Sequence, residues 1–328
     1  RRDARFCGSP IRKYDVRMTA PVTPRFTVVR DDTPSAAVPR GAVVALGNFD
    51  GVHLGHRVVI AAARRMAEEL DRSAIAVTFE PHPRSFFNPN TAQFRLTDEQ
   101  ARLRLLAGTG LAGAVVMTFN AMRAGTSAED FIHHELVDRL GIAGVVVGYD
   151  FHFGKGRRGS PDLLRSEGAR LGFDVHVQPH VDLDGRAVSS TAIRNALGQG
   201  EIDEANALLG YPWFVTGEVV HGEKRGRDLG YPTANIRLDP ACGLKHGIYA
   251  VRIGLNGERL NGVASFGRRP TFDNGAPLLE IFLFDFKGDL YGKSLDVAFI
   301  AYLREELKFD SLDALIRQMD DDSARARA

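Results

Sequence analysis

The sequence predicts a two-domain chain: an α/β domain built on a parallel sheet, followed by a small antiparallel β-barrel that closes with a C-terminal helix. Three observations carry this. The 328 residues exceed what one hydrophobic core usually serves. From Gly41 to Gly200, short apolar runs alternate with helical periodicity, the order of crossover units on a parallel sheet. After Tyr211-Pro212 the texture turns β-rich, with turn signals and almost no helical period. The expected units are a tail over 1–25, the α/β domain over 26–206 and the barrel domain over 207–328, the last able to fold alone.

Residues 1–25 carry seven basic and two acidic side chains and no apolar segment of a signal peptide, so they read as a disordered tail, with Met18 as a natural start. Strands are expected at 43–46, 74–78, 113–118, 144–148 and 173–177. Val59, Ala62, Ala63, Met66 and Leu70 recur at helical spacing after the first of these, and further helices fit 97–107, 127–140, 160–171 and 191–197. Strands so covered by helices place ligands beyond their carboxyl ends. In the second domain, 247–255 and 258–266 flank Asn256-Gly257, a strong hairpin signal. Segments 278–286 and 295–301 flank a turn near Gly288-Asp289. In the closing helix Leu312, Leu315, Ile316 and Met319 form one apolar face, and the run Asp320-Asp321-Asp322 reads as solvated tail.

Forty-two Lys and Arg against 41 Asp and Glu leave a net charge of +1, so no global field draws the chain to nucleic acid or anionic lipid. Any polyanion must be held by local groups. Cys7 and Cys242 are too far apart, one of them in the tail, for a disulfide framework or a metal knuckle, which fits a reducing cytoplasm. No apolar run approaches the roughly 18 residues of a membrane span. The expected partners are small molecules, with no nucleic acid and no membrane, for a monomer or weak homo-oligomer.

The first chemical motif is Gly47-Asn48-Phe49-Asp50-Gly51-Val52-His53-Leu54-Gly55-His56, between the first strand and the first helix. Glycines admit a phosphate to the backbone, a helix N-terminus offers N–H groups and positive dipole, and two imidazoles can stabilise charge gained at phosphorus. His-x-x-His could instead cap the helix or ligate a metal, although no third ligand stands nearby. Ser189-Ser190-Thr191-Ala192-Ile193-Arg194 opens a later helix with hydroxyls and a cation; alone, it also reads as an N-cap. Glu80-Pro81-His82-Pro83 alone is a strand-ending turn.

Two other motifs are excluded. Gly154-Lys155-Gly156-Arg157-Arg158-Gly159 fits a dinucleotide fingerprint but begins six residues past its strand, and its three cations suit a basic loop over phosphates. Gly288-Asp289-Leu290-Tyr291-Gly292-Lys293-Ser294 has three residues between its glycines where a P-loop has four.

Together, His53-Leu54-Gly55-His56 and Ser189 to Arg194 resemble the two signatures of the nucleotidylyltransferase superfamily. With Thr78 to Pro83 and Gly148-Tyr149-Asp150-Phe151-His152-Phe153-Gly154, the resemblance narrows to the bacterial bifunctional riboflavin kinase and FMN adenylyltransferase family, over about residues 43–309. It implies a nucleotidylyltransferase-like domain that moves AMP from ATP to FMN, using Gly47, Phe49, Asp50, His53, Gly55, His56, Ser190, Thr191 and Arg194 on ATP. Pro81, His82, Asp150 and Phe151 would line its flavin pocket.

In the second domain, Gly217 to Gly222 and Gly226-Arg227-Asp228-Leu229-Gly230-Tyr231-Pro232-Thr233-Ala234-Asn235 resemble the riboflavin kinase signature, with Tyr231 where the family often has Phe. The resemblance implies an ATP flap bearing Gly222, Gly226 and Gly230, followed by Pro232, with Thr233 and Asn235 contacting ATP phosphates and Mg²⁺. The glycines alone also fit a barrel hairpin. Along 278–286 a period of two puts Glu280 on one face with Phe282, Phe284 and Phe286. That segment alone favours an exposed strand-end acid; the resemblance makes Glu280 the base that takes the riboflavin hydroxyl proton. Arg304 matches a flavin-site position and equally suits a salt bridge. The rivals are a single-activity adenylyltransferase with a degenerate barrel and a flavin-sensing module without turnover.

Overall fold

The computed structural model describes residues 26–31, 40–88, 90–91, 93–221, 231–268 and 277–328. The tail over 1–25 and the flap glycines Gly222, Gly226 and Gly230 lie outside the described residues. In chain order the first domain contains β1 (Thr27–Arg30), β2 (Val43–Leu46), α1 (Leu54–Glu69), β3 (Ala74–Glu80), α2 (Pro83–Phe87), α3 (Glu99–Ala107), β4 (Gly113–Thr118), α4 (Ala121–Gly125) and α5 (Ala128–Asp130). A π-helical stretch, Phe131–Arg139, continues α5, where the periodicity predicts one α-helix. Then come β5 (Gly144–Gly148), α6 (Pro161–Leu171), β6 (Asp174–Gln178), the short ribbon β7 (Asp182–Leu183) and β8 (Arg186–Ala187), α7 (Ser190–Gln199) and α8 (Ile202–Leu209).

The main sheet is parallel throughout, in the order β1-β4-β3-β2-β5-β6. Its central strands read as unbroken apolar runs because both faces are covered. Val44, Leu46, Ile75 and Val145 point into one core and Val43, Ala45, Ala76 and Val146 into the other. From β2 the chain builds outward through β3 and β4, then crosses back to place β5 on the other side of β2. The strand order therefore reverses between β2 and β5, and in such sheets the crevice at that point receives ligands.

The second domain is a closed barrel of β9 (Phe214–Val220), β10 (Thr233–Arg237), β11 (Gly247–Leu255), β12 (Glu258–Arg268), β13 (Pro277–Leu283) and β14 (Ser294–Arg304), in the order β10-β13-β12-β11-β14-β9. The β11–β12 hairpin turns at Asn256-Gly257, both at positive φ (50° and 87°), as its sequence requires. Helix α9 (Leu312–Arg327) ends the chain.

A third core joins the two halves: Ile193, Leu197, Ile202, Ala205, Leu208 and Leu209 from α7 and α8 pack with Trp213, Tyr249, Val297 and Phe299. The expected boundary at 206 falls inside α8, and Asn206 ties that helix to the barrel by donating to the Phe299 carbonyl at 3.0 Å. A fragment cut there would leave out Ile202 and Ala205, which pack in this core, and the Asn206 bond to the barrel.

Helix α9 also departs from expectation. Leu312 is 53% exposed, whereas Asp322, expected in a solvated tail, is 3% exposed and accepts the Arg304 guanidinium. Arg327 pairs with Asp285 and lies 4.2 Å over the Phe284 ring. Leu315, Ile316 and Met319 of the expected apolar face are half-buried, and these charged contacts add to them.

Candidate active sites

At the β2–β5 switch point lies a cavity of about 430 Å³. Gly47, Phe49, Asp50, His53, Gly55, His56, Ser190, Thr191 and Arg194 all line it, as do His82, Asp150 and Phe151. Pro81 does not: it is exposed at the turn, and the Glu80–Pro81 bond is cis. Phe79, Phe119, Phe131 and Phe153 give one side of the cavity an apolar wall, while Arg157 of the basic loop stands among the lining residues.

Two helices begin at this cavity. His53 caps α1, its Nδ1 accepting from the His56 backbone N–H at 3.3 Å, and Ser189 caps α7 by accepting from Ala192 N–H. Neither helix has an acidic residue in its first turn, whereas α3, α6, α8 and α9 all do. Their positive ends are thus not offset by an acid of their own first turn.

The His53 and His56 rings stack with centroids 3.6 Å apart. Burial lowers the His53 pKa to about 4, Asp50 opposing and Arg194 assisting, and burial with His53 nearby holds His56 well below its ordinary value. Both rings are therefore neutral at pH 7. Because His53 Nδ1 accepts, its proton sits on Nε2, which becomes a neutral N–H donor. His56 Nδ1 is buried with no hydrogen-bond partner among the described residues.

Asp50 lines the cavity and is also tied into the protein. It is 2% exposed; one oxygen accepts from Leu96 N and Thr97 N at 2.9 and 3.1 Å, and the other pairs with Arg194. It holds the loop and Arg194 in position. Arg194 also donates through Nε to the Phe94 carbonyl. Ser190 Oγ donates to the Asp50 carbonyl at 3.0 Å, docking α7 on the glycine loop. Gly51 is required there: its φ is +83°, and a Cβ would meet Leu96 at 2.9 Å.

Sequence reasoning missed Glu80, Arg95 and Arg102. Glu80 takes two bonds from Arg95, at 2.6 and 2.9 Å, and one from the fully buried Arg102 at 2.7 Å. Burial alone would raise the Glu80 pKa; the two guanidiniums hold it below the usual range. Nothing in the local pattern marks Arg102, which sits in a helical stretch like any surface arginine. His82 packs beside this cluster, its Nδ1 accepting from Arg84 N–H, and burial lowers its pKa to about 4.

The second candidate site lies on one stretch of the barrel. In the β10–β13 pairing Asn235 stands directly opposite Glu280 and Thr233 opposite Phe282, so all four share a face. The opposite face of β13, with Leu279, Ile281 and Leu283, fills the barrel core. Glu280 is half-buried rather than exposed, but the phenylalanine row is shorter than the period predicts: β13 ends at Leu283, and Asp285 turns with φ +58° before Phe286. Asn235 is buried and its Oδ1 has no hydrogen-bond partner among the described residues. An orphaned amide oxygen beside a hydroxyl and a carboxylate is a hard-oxygen set that suits Mg²⁺. Pro232 is exposed just before β10. Tyr231 packs on Phe282 at 4.7 Å, and the hydroxyl that distinguishes it from Phe bonds Asp320 on α9. Arg304 is committed: Nε and Nη2 hold Asp322, and Nη1 donates to the Glu305 carbonyl.

Among the described residues no helix is long and apolar enough to cross a membrane. The FAD synthetase family model matches residues 35–192, and the riboflavin kinase model matches 209–328. The chain is 44% identical over 291 residues to the bifunctional riboflavin kinase/FMN adenylyltransferase of Pseudomonas fluorescens, covering 88% of this chain and 93% of that one. It is 39% identical to the Haemophilus influenzae protein of that name, over 89% and 95% of the two chains. A crystal structure from Streptococcus pneumoniae, described as a macrolide-efflux protein, superposes with a TM-score of 0.82 at 29% identity, over 92% of this chain and 98% of that one. Two matched domains in one chain, together with relatives of this identity along most of its length, place it: the chain belongs to the bifunctional riboflavin kinase/FMN adenylyltransferase family.

Proposed function

We propose that the chain makes FAD in two ATP-dependent steps, with the barrel face of Thr233, Asn235 and Glu280 as the kinase site and the switch-point cavity as the adenylyltransfer site. In the kinase step the riboflavin 5′-hydroxyl oxygen attacks the γ-phosphorus of ATP, ADP leaves, and Glu280 takes the hydroxyl proton. Thr233 and Asn235 would hold Mg²⁺, which neutralises phosphate charge when bound. Gly222, Gly226, Gly230 and Pro232 are assigned to the ATP flap by resemblance. Arg304, tied to Asp322, shapes the flavin side by fixing α9 against β14.

In the second step a phosphate oxygen of FMN attacks the α-phosphorus of ATP and pyrophosphate leaves. The His53 Nε2–H and the His56 ring stabilise charge at the α-phosphate, and the N-termini of α1 and α7 with Arg194 hold the departing phosphates. His82, Asp150 and Phe151 face the flavin; Pro81 only shapes the turn. The observation that supports this reading most directly is the convergence of two helix N-termini, both without acidic residues in their first turns, on the stacked His53–His56 pair. Neither step needs a covalent intermediate. The protein acts in the cytoplasm as a monomer or weak homo-oligomer. Incubating it with riboflavin, ATP and Mg²⁺ and separating the products tests the reading: FMN and FAD are both expected, and absence of either removes the corresponding site.

A further inference from the structure

The glycine loop is held from outside its own domain. Phe49, Gly51 and Val52 all have positive φ (51°, 83° and 38°), a conformation that costs energy for Phe and above all for β-branched Val. Such a loop persists only where its surroundings over-determine it. From within the domain, the Gly51 N–H donates to Thr97 Oγ1 at 3.1 Å, and Asp50 takes the N–H groups of Leu96 and Thr97. Ser190, Arg194 and Arg57 of the same domain also bond the loop, and two further supports come from the segment that leads into the barrel. Tyr211 Oη donates to the Gly51 carbonyl at 2.5 Å, and Trp213 Nε1 donates to the Leu96 carbonyl at 2.8 Å. Both side chains are 1% exposed.

Trp213 is in turn part of the barrel. Its ring stacks on Phe299 of β14 at 5.1 Å, its carbonyl accepts from Phe299 N–H at 2.8 Å, and its N–H donates to Asn206 Oδ1 at 2.7 Å. Phe94, whose carbonyl holds Arg194, meets the Trp213 ring edge to face at 5.8 Å. An unbroken series of contacts thus runs from Phe299 through Trp213 and Leu96 to Asp50 and Arg194. Arg57, one turn into α1, lies 5.4 Å over the Tyr211 ring while donating to the Val52 carbonyl.

We propose that Tyr211 and Trp213 are positioning residues of the adenylyltransfer site, supplied from the barrel side of the domain junction to fix the ATP loop and the cation-bearing end of α7. The proposal rests on the assignment of that site to the first domain. It makes the barrel a working part of the adenylyltransferase, whatever chemistry the barrel itself performs.

Tyr211→Phe tests this, because it removes one hydroxyl and leaves the Gly51 carbonyl buried without a donor. The ATP KM of FMN adenylyltransfer is expected to rise about tenfold, on the scale of an unmet buried hydrogen bond, with the FMN KM unmoved and the riboflavin kinase rate within twofold of the parent protein. Trp213→Phe, read the same way at the Leu96 carbonyl, should give the same one-sided loss. A merely structural role predicts something else: both half-reactions falling together through a smaller folded fraction, with neither KM changed. That outcome, or an ATP KM of adenylyltransfer within twofold of the parent in both variants, overturns the proposal. A parent protein that makes FMN but never FAD overturns the site assignment itself, and the proposal with it.

Discussion

Arg104 on α3 donates to both carboxylate oxygens of Asp296 on β14, at 2.7 and 2.9 Å, and Thr216 of β9 donates to the same carboxylate at 2.6 Å. Asp296 is 6% exposed, so removing the guanidinium strands a buried charge. Arg104→Met is expected to destabilise the protein by about 2 kcal/mol, less than a fully buried pair loses because the Arg104 side chain keeps 28% of its surface in water. The double variant Arg104→Met/Asp296→Leu should recover most of this. Thermal melts of the full chain measure both, and a single variant as stable as the double would show that the charge pair is not what matters.

His53→Ala deletes the neutral Nε2–H donor and the cap of α1 together. Adenylyltransfer is expected to fall on the order of 10²–10³-fold, the scale of losing one donor to a developing oxyanion, while FMN formation in the barrel continues. Unchanged FAD production from supplied FMN would take His53 out of the mechanism.

Glu280→Gln keeps shape and a hydrogen-bonding oxygen but cannot take a proton. Riboflavin phosphorylation is expected to slow by roughly 10²–10⁴-fold, with riboflavin binding and the conversion of supplied FMN to FAD at parent levels. A structural role for this half-buried acid predicts near-parent kinase rates instead. Assaying both half-reactions on the one variant decides between them.

Stability should depend on pH through the buried imidazoles. His53 and His82 titrate near 4 in the folded protein against 6.5 when unfolded, so between those values the unfolded chain binds more protons. Their contribution is complete above pH 6.5 and is lost as the pH falls toward 4, by about 2 kcal/mol per ring at pH 5. Glu80, also depressed, loses its contribution as the pH falls through its ordinary value of 4.5, in the lower part of this window and below the pH 5 at which the loss is read. Urea melts at pH 7.5 and pH 5 should show the loss, and His82→Gln should reduce it; equal midpoints at the two pH values would contradict the argument.

The glycine loop and the Ser189 to Arg194 turn were legible because each is a local pattern whose residues meet one cavity. The hairpin at Asn256-Gly257 was legible because the two turn residues alone set its backbone. Strand β1 was not: only Val29 of its four residues is buried, so it shows no apolar run. Helix α8 was passed over as a boundary although Ile202, Ala205, Leu208 and Leu209 keep helical spacing. The partners of Asp50 were not legible, because Leu96, Thr97 and Arg194 come from distant segments that no local pattern links to it. Asp322 read as tail because an acidic run is usually solvated, and only the fold brings Arg304 to it.

The backbone bond from Phe299 N–H to the Trp213 carbonyl has a consequence for the order in which the protein is made. Chains emerge from the ribosome N-terminus first, and domains fold as they appear. The parallel sheet is complete once β6 is out, yet the indole that supports Leu96 is fixed only when β14, the last strand, joins β11 and β9. In the first domain to be synthesised, the Leu96 carbonyl beside the glycine loop thus gains its indole donor in the native arrangement only after residue 299 has been made.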